Sequence, residues 1–130
     1  MDQKPSVLIV EDEVFILMDI GQSFADAGWR VLQATSGEHA VKVLQENGRG
    51  VDALFTDITL TGALSGWDVA DMARNERSDF PVVYASGKHS DPNRQLPGTA
   101  FFDKPYSPAA VIEACRQAVK AASEPRTGSP

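Results

Sequence analysis

Short apolar runs recur along this chain and alternate with stretches of helical periodicity. The unbroken runs are Val7–Val10, Ala53–Phe55, Val82–Ala85 and Ala100–Phe102, and a more mixed strand pattern covers Trp29–Ala34. An unbroken apolar run is typical of a strand that is covered on both faces. Strands that alternate with helices predict parallel pairing through right-handed crossovers. We therefore expect an α/β fold built on a doubly wound, five-stranded parallel sheet.

The segment after the second strand predicts a helix with a capping box. Thr35 and Ser36 can each accept hydrogen bonds from backbone N–H groups at a helix start. Glu38 stands three residues after Thr35, which is the capping-box spacing, and Gly48 or Gly50 ends the helical pattern.

Three further segments have helical spacing of their apolar residues. One covers Val14–Ala27, another ends near Asn75, and the last is opened by Ser107 and Pro108, a favourable cap and first-turn pair. The lone Cys115 falls on the apolar stripe of the last helix, so we expect it to pack there. The expected buried stripe of the first helix is Val14, Leu17, Met18, Gly21, Phe24 and Ala25.

The stretch from Ser86 to Gly98 has the least regular pattern. It contains Gly87, Pro92 and Pro97. Proline cannot extend a helix, and the residue before a proline avoids the helical region. We therefore expect the fourth helix to be short, irregular or absent.

The composition fits one globular domain. The chain has 130 residues and a formal net charge of -6, which opposes direct binding to nucleic acid. Its apolar runs are too short to cross a membrane, and its first residues lack the apolar core of a signal peptide, so we expect a cytoplasmic protein. We expect a leader over residues 1–5, one domain over 6–122 and a disordered tail over 123–130.

Reactive side chains stand at the ends of four predicted strands. Glu11 and Asp12 follow the first strand, Asp57 the third, Ser86 the fourth and Lys104 the fifth. The carboxyl ends of parallel strands line one crevice, so these residues should meet there. Three acids, a hydroxyl and an ammonium suit a divalent cation and a phosphoryl group.

This set, together with the Lys104-Pro105 dipeptide, resembles the receiver domain of bacterial two-component response regulators. The resemblance extends over roughly Ser6 to Ala122. It implies the flavodoxin-like strand order 2-1-3-4-5. It also implies that Asp57 accepts a phosphoryl group from a phosphohistidine on a histidine kinase or a histidine phosphotransfer protein.

The residues account for the chemistry that the resemblance implies. An Asp carboxylate is ionised at neutral pH, so Asp57 needs no general base before it attacks phosphorus. Mg²⁺ would reduce the repulsion between the two anions, and carboxylate and carbonyl oxygens are the ligands that it prefers. The expected ligands are Asp12, Asp57 and the Thr59 carbonyl, with Glu11 acting through water.

The resemblance also assigns the phosphoryl contacts and a switch. Lys104 and Ser86 are expected to bind phosphoryl oxygens, with Gly87 and Thr59 as further phosphoryl-binding residues. In the family, the hydroxyl residue moves toward the phosphoryl group and an aromatic residue on the fifth strand turns inward. Ser86 and Phe101 occupy these switch positions.

Two local patterns depart from the commonest receiver sequence. The loop at residues 58–66 lacks a frequent proline and is longer by a residue or two. The segment Tyr84-Ala85-Ser86-Gly87-Lys88-His89 resembles the phenylalanine-alanine-threonine-glycine-X-tyrosine motif of a receiver subgroup that is common in alphaproteobacteria. That subgroup also has an irregular fourth helix.

The partner surface is expected on the first helix. Phe15, Ile16 and Ile20 lie outside its main apolar stripe and could form an exposed patch beside the acids. Family kinases and phosphotransfer proteins dock in this region. A monomer is favoured, because the fourth helix belongs to the usual dimer surface.

The sequence alone leaves several alternatives open. A stand-alone receiver is favoured, and a receiver excised from a larger regulator or hybrid kinase is the alternative within the family. A phosphatase of the haloacid dehalogenase type would also use an Asp nucleophile and Mg²⁺, but it needs a second Asp at the position of Thr59. A binding-only module with a vestigial pocket is the third possibility.

Overall fold

The computed structural model describes residues 4–88 and 91–123. The strands are β1 (Ser6–Val10), β2 (Arg30–Ala34), β3 (Ala53–Asp57), β4 (Val82–Ser86) and β5 (Ala100–Asp103). The helices are α1 (Val14–Asp26), α2 (Gly37–Asn47), α3 (Gly66–Glu76) and α4 (Pro108–Ser123), with a 3₁₀ turn at Gly48–Gly50. The expected leader and tail fall largely on residues 1–3 and 124–130, outside the described residues.

The five strands form one parallel sheet in the order β2-β1-β3-β4-β5. This confirms the predicted doubly wound, flavodoxin-like fold. All residues of β1, β3 and β4 are buried, as their unbroken apolar runs predict. The central strands therefore carry their terminal side chains to one edge of a rigid sheet.

A separate hydrophobic core covers each face of the sheet. The core under α2 and α3 includes Leu44, Trp67 and Tyr84. The core under α1 and α4 includes Phe24 and Cys115. The predicted packing of Cys115 is thus confirmed.

The buried stripe of α1 is narrower than the sequence predicts. Its members are Leu17, Ile20, Gly21 and Phe24, at the i, i+3, i+4, i+7 spacing of one helix face. The predicted burial of Val14, Met18 and Ala25 is wrong, since Val14 and Met18 are 55% and 60% exposed and Ala25 is exposed as well. The predicted exposure of Ile20 is also wrong, because this residue turns toward the sheet.

The predicted capping box of α2 is wrong as well. Ser36 caps the helix by accepting a hydrogen bond from the His39 N–H at 3.0 Å. Glu38 instead accepts from the Ala63 N–H at 2.9 Å, across the loop that follows β3. A capping box forms on α3, between Ser65 and Asp68.

No helix forms between β4 and β5 among the described residues of that segment, 87–88 and 91–99. The segment is held to α3 by polar contacts. Arg94 Nη2 lies 3.1 Å from Asp68 Oδ1 and 3.3 Å from Asp71 Oδ2. Arg74 donates to the Pro97 carbonyl at 3.1 Å. The prediction that the helix between β4 and β5 is short, irregular or absent is thus confirmed for these described residues.

Candidate functional site

The acidic and basic residues of the predicted site lie together at the carboxyl edge of the sheet. Glu11 and Asp12 directly follow β1, Asp57 ends β3, and Lys104 directly follows β5. The order of strands places β1 beside β3. The side chains of these four residues form what we call the acidic pocket.

The three carboxylates of the acidic pocket come close to one another. Glu11, Asp12 and Asp57 each offer an oxygen, and these oxygens all lie within 4.8 Å of one another. Glu11 and Asp57 are only 3% and 8% exposed, while Asp12 is half-buried. Three carboxylates crowded in this way repel one another unless positive charge lies between them.

Lys104 supplies part of that charge. Its Nζ lies 2.7 Å from Glu11 Oε1 and 3.2 Å from Asp57 Oδ2. The Lys104 side chain is itself 18% exposed, so the ion pairs are largely shielded from water. One ammonium against three carboxylates leaves the acidic pocket negative.

The pKa shifts of these groups agree with an excess of negative charge in the acidic pocket. Burial raises the pKa of Glu11, and the hydrogen bond from Lys104 opposes this increase. Burial also raises the pKa of Asp57, against the charge of Lys104. For Lys104, burial alone would lower the pKa, but the hydrogen bond to Glu11 and the charge of Asp57 raise it. The positive charge of Lys104 thus does not fully offset the cost of burying the ionised carboxylates of Glu11 and Asp57.

The donor set fits a hard divalent cation. All the charged ligands are carboxylate oxygens, which Mg²⁺ and Ca²⁺ prefer over nitrogen or sulfur. A cation bound there would favour the ionised form of each acid and offset their mutual repulsion. The residues that could hold it are Glu11, Asp12 and Asp57.

Backbone contacts fix the surroundings of the acidic pocket. Glu11 Oε2 accepts from the Glu13 N–H at 3.1 Å, and Asp12 Oδ2 accepts from the Thr61 N–H at 3.1 Å. The contact with Thr61 has no signal in the sequence, because it depends on how the loop after β3 folds back. Thr59 lies exposed in the same loop. The role of its carbonyl stays a prediction.

Gly66 is a further residue of the site that the sequence did not identify. A Cβ at this position would lie 2.0 Å from the Asp57 carbonyl oxygen. The N–H of Gly66 donates to the Ile58 carbonyl at 2.8 Å. Only glycine allows α3 to start so close to the end of β3, and the position of Asp57 therefore depends on it.

Ser86 belongs to β4, the strand next to the one that ends at Asp57. It ends β4 and is 2% exposed, and its Oγ accepts from the Lys88 N–H at 3.1 Å. Its carbonyl accepts from the Lys104 N–H at 2.8 Å, which ties the two strand ends together. Gly87 is exposed beside it. Their phosphoryl-binding roles stay predictions.

Comparison with known proteins explains this arrangement. The family model for the response regulator receiver domain matches residues 7–116. The chain belongs to the response regulator receiver family. This confirms the resemblance that the strand-end residues indicate, and it favours a receiver over the haloacid dehalogenase alternative.

Individual relatives agree with this assignment. The response regulator SaeR of Staphylococcus aureus is 27% identical over 111 residues, which is 82% of this chain and 46% of SaeR. A receiver protein from Sinorhizobium medicae WSM419 has a TM-score of 0.87 at 30% identity, covering 93% of this chain and 98% of that one. The receiver domain of the hybrid histidine kinase CckA has a TM-score of 0.75 at 27% identity, covering 88% of this chain and 98% of that one. This chain spans about half the length of the curated relatives that it matches.

Membership has direct consequences for the class of activity. Receiver domains are phosphoacceptor signalling domains rather than ordinary enzymes, and they bind Mg²⁺ at an acidic pocket. Receiver domains interact with a histidine kinase or a phosphotransfer protein. Among the described residues of this receiver domain, no helix has the length and apolar character needed to span a bilayer.

Phe101 of the receiver domain belongs to an aromatic cluster. Its ring centroid lies 6.2 Å from that of Trp67, in a stacked arrangement, and 6.5 Å from that of Tyr84. Phe102 packs into the core on the opposite face. The sequence predicts these opposite faces but does not identify Trp67. The switch role of Phe101 stays a prediction.

The patch at the start of α1 differs in part from the expected one. Phe15 is 87% exposed, Ile16 is half-buried, and Ile20 is buried. The exposed apolar neighbours of Phe15 are Val14 and Met18. We define Val14, Phe15 and Met18 as the α1 patch.

The motif of the alphaproteobacterial subgroup is only partly described. Residues 84–88 are described, and His89 lies outside the described residues. Tyr84 is buried, and Leu96 packs against the same core. Membership in the subgroup stays a prediction.

Proposed function

We propose that Asp57 accepts a phosphoryl group from a phosphohistidine on a histidine kinase or phosphotransfer protein, in a Mg²⁺-dependent reaction. The modified receiver domain then relays the group onward or changes its binding to partners. One observation carries the proposal. The Asp57 carboxylate lies 3.2 Å from the Lys104 ammonium and within 4.8 Å of oxygens from two further acids.

The proposed step is a displacement at phosphorus. An Asp57 Oδ atom forms a bond to phosphorus while the bond between phosphorus and the histidine nitrogen breaks, and the imidazole leaves with that electron pair. No proton has to leave Asp57, since its carboxylate is the attacking form. The product is an aspartyl phosphate, and its hydrolysis by the receiver domain itself ends the signal.

The side chains of the acidic pocket have separate roles in this step. Glu11, Asp12 and Asp57 would hold Mg²⁺, with the Thr59 carbonyl as a further ligand. The bound ion would supply positive charge that offsets the repulsion between the two anions and orients phosphoryl oxygens. Lys104 already contacts Asp57, and its ammonium can move to a phosphoryl oxygen without a large displacement.

Ser86 and the adjoining backbone complete the phosphoryl site. The Ser86 hydroxyl donates to a phosphoryl oxygen, and Gly87 and Thr59 border the same space. Ser86 Oγ now accepts from the Lys88 N–H, so its rotation toward the phosphoryl group breaks this contact. Space vacated by Ser86 then becomes available to Phe101, which packs beside Trp67. The surface around β5 changes as a result.

The α1 patch is the proposed docking surface for the phosphodonor protein. It follows directly after the acidic residues Glu11 and Asp12, and Phe15 is 87% exposed. A contiguous exposed apolar patch is a frequent feature of protein interfaces, and aromatic residues often contribute most of their binding energy. Ile16 borders this surface.

The wider setting is also proposed. We infer that residues 6–122 form the receiver unit, that it acts in the cytoplasm as a monomer, and that it does not bind nucleic acid directly. The net charge of -6 supports the last point. A stand-alone receiver and a receiver within a larger regulator are both compatible with the proposed reaction.

Phosphotransfer profiling tests the proposal. Radiolabelled histidine kinases and phosphotransfer proteins of the source organism are mixed with wild-type protein, with Asp57→Asn and with Asp26→Asn. Asp26 ends α1, far from the acidic pocket, so its variant controls for the loss of one charge. We expect labelling of wild type and Asp26→Asn, no labelling of Asp57→Asn, and loss of all labelling when Mg²⁺ is chelated. Full labelling of Asp57→Asn would refute the proposal.

A further inference from the structure

The loop between β3 and α3, residues 58–65, is attached to α2 as well as to the acidic pocket. The Thr61 N–H donates to Asp12 Oδ2 at 3.1 Å. The Ala63 N–H donates to Glu38 Oε2 at 2.9 Å, and Glu38 lies in the first turn of α2. The loop therefore contacts a predicted metal ligand through Thr61 and an acid outside the acidic pocket through Ala63.

Two glycines allow the loop to approach α2 this closely. A Cβ on Gly37 would lie 2.7 Å from the Leu64 Cβ and 2.8 Å from the Leu64 carbonyl oxygen. A Cβ on Gly62 would lie 2.8 Å from Glu38 Oε1, and Gly62 has a φ of +96°, which other residues rarely adopt. The contact between Glu38 and the loop is thus part of a close fit between two elements.

The charge state of Glu38 suits this contact. The hydrogen bond from the Ala63 N–H lowers the pKa of Glu38 below its ordinary value, with a smaller contribution from Leu64. A carboxylate near a helix N-terminus is also favoured by the helix dipole. Glu38 therefore remains an ionised acceptor for the loop at neutral pH.

We propose that Glu38 is a positioning residue that holds the β3–α3 loop so that the backbone of Thr59 and Thr61 faces the acidic pocket. This inference deepens the proposed function and rests on it. Glu38 itself touches neither the metal nor the phosphoryl group. It acts by reducing the number of conformations that the loop adopts before Mg²⁺ binds.

The sequence of the loop explains why such a contact is needed. Residues 58–66 contain no proline, and they contain two glycines, Gly62 and Gly66. A loop of this kind has many accessible backbone conformations. The conformational entropy that the loop loses when a ligand binds reduces the affinity for that ligand. If the fraction of molecules with a binding-competent loop falls by a given factor, the apparent affinity for Mg²⁺ falls by the same factor.

Magnesium titration of four variants of the 130-residue chain tests the positioning role. Glu38→Ala removes the acceptor, whereas Glu38→Gln removes the charge and keeps an acceptor oxygen. Glu46→Gln makes the same charge change near the other end of α2. Asp12→Asn removes a proposed ligand. Calorimetry measures Mg²⁺ affinity, and hydrogen exchange measures protection of the Thr61 and Ala63 amides.

We expect Glu38→Ala to bind Mg²⁺ about twofold to tenfold more weakly than wild type, the range for losing one hydrogen bond that orders a site. The Ala63 and Thr61 amides should lose protection in this variant. Glu38→Gln should retain most of the affinity, and Glu46→Gln should match wild type. Asp12→Asn should lose about tenfold or more.

Failure of the positioning role and failure of the proposed function give different results in this titration. If Glu38→Ala binds Mg²⁺ as tightly as Glu46→Gln while Asp12→Asn has lost affinity, the positioning role is refuted and the metal site stands. If Asp12→Asn binds as tightly as wild type, the proposed function itself is refuted. Equal weakening in Glu38→Ala and Glu38→Gln, with unchanged amide protection, would show a charge effect alone and would also refute the positioning role.

Discussion

Lys104 Nζ lies 3.2 Å from Asp57 Oδ2, and the same ammonium lies 2.7 Å from Glu11 Oε1. A single cation is therefore shared between two buried carboxylates. Burial raises the pKa of both acids despite this shared partner. The arrangement favours binding of further positive charge, and it reduces stability while that charge is absent.

Asp57→Asn should stabilise the protein when divalent cations are removed. At neutral pH the buried Asp57 carboxylate is held in a form that its raised pKa disfavours, so a neutral amide relieves the desolvation cost. We expect the free energy of unfolding to rise above that of wild type, because the amide carries no charge that burial must desolvate. Urea denaturation in the presence of a chelator measures this change.

Magnesium provides the matched comparison for that variant. Saturation at a hundredfold excess over Kd should stabilise wild type by about 2.7 kcal/mol and should have a much smaller effect on Asp57→Asn. Asp26→Asn should respond to Mg²⁺ as wild type does. If Asp57→Asn is less stable than wild type in the presence of a chelator, the predicted stabilisation is contradicted.

Lys104→Met should destabilise the protein strongly at neutral pH. The substitution leaves Glu11 and Asp57 buried without their shared partner, which costs about 3 kcal/mol for a broken buried pair. The loss should be smaller at a mildly acidic pH than at neutral pH, because carboxyls with a raised pKa take up protons at a higher pH than free carboxyls do. Denaturation at the two pH values checks this, and a loss that is independent of pH would contradict it.

Asp68→Asn should weaken the start of α3. Hydrogen bonds from the Ser65 backbone and from Arg94 lower the pKa of Asp68. The pKa of this carboxyl is lower in the folded state than in the unfolded state, where it is about 4. Its contribution to stability is therefore fully present above about pH 4, and it is lost as the pH falls through the pKa of the folded state. After allowance for solvent screening, we expect a loss of about 0.5–1 kcal/mol at neutral pH.

The pH dependence of this loss separates it from a general structural effect. The stabilities of wild type and Asp68→Asn should converge as the pH falls from about 4, the unfolded pKa, through the lowered pKa of the folded carboxyl. Asp71→Asn keeps the capping box and loses only its contact with Arg94. Thermal denaturation should therefore give a smaller change for that control than for Asp68→Asn.

Phe101→Ala should separate phosphorylation from its effect on partners. The ring packs with Trp67 and Tyr84 rather than in the acidic pocket, so Asp57 should still be labelled. The change in partner binding on phosphorylation should weaken, because no ring remains to fill the space that Ser86 vacates. Phe102→Ala on the opposite face is the control. Equal binding changes in Phe101→Ala and wild type would remove the switch assignment.

Phe15→Glu should impair phosphotransfer from a protein donor and spare phosphorylation by a small-molecule donor. Phe15 is 87% exposed in the α1 patch, so its substitution should not disturb the core. We expect transfer from the cognate kinase to slow by about tenfold, as for loss of one interface anchor. Met72→Glu, at an exposed apolar residue of α3, is the control. Unchanged transfer in Phe15→Glu would discard the α1 patch as the docking surface.

Helix starts show where local sequence was insufficient. Thr35 and Glu38 have the spacing of a capping box, yet Ser36 provides the cap and Glu38 contacts the Ala63 N–H. Spacing along one segment does not reveal a competing partner from another segment. The apolar pattern mispredicts the buried face of α1 for the same reason, since Val14 and Ile20 are both apolar and only the position of the sheet distinguishes them.

The amino-acid sequence is sufficient to predict the strands, their parallel arrangement and the edge at which Glu11, Asp12 and Asp57 meet. These features depend on burial patterns within short segments and on the rule that the ends of parallel strands share an edge. Three contacts become visible only in the folded protein: Lys104 bridges two acids, Arg94 holds the segment before β5 to α3, and Glu38 contacts the loop after Asp57. Each of these contacts joins residues that are distant along the chain, and their proximity in space follows from packing rather than from any local pattern.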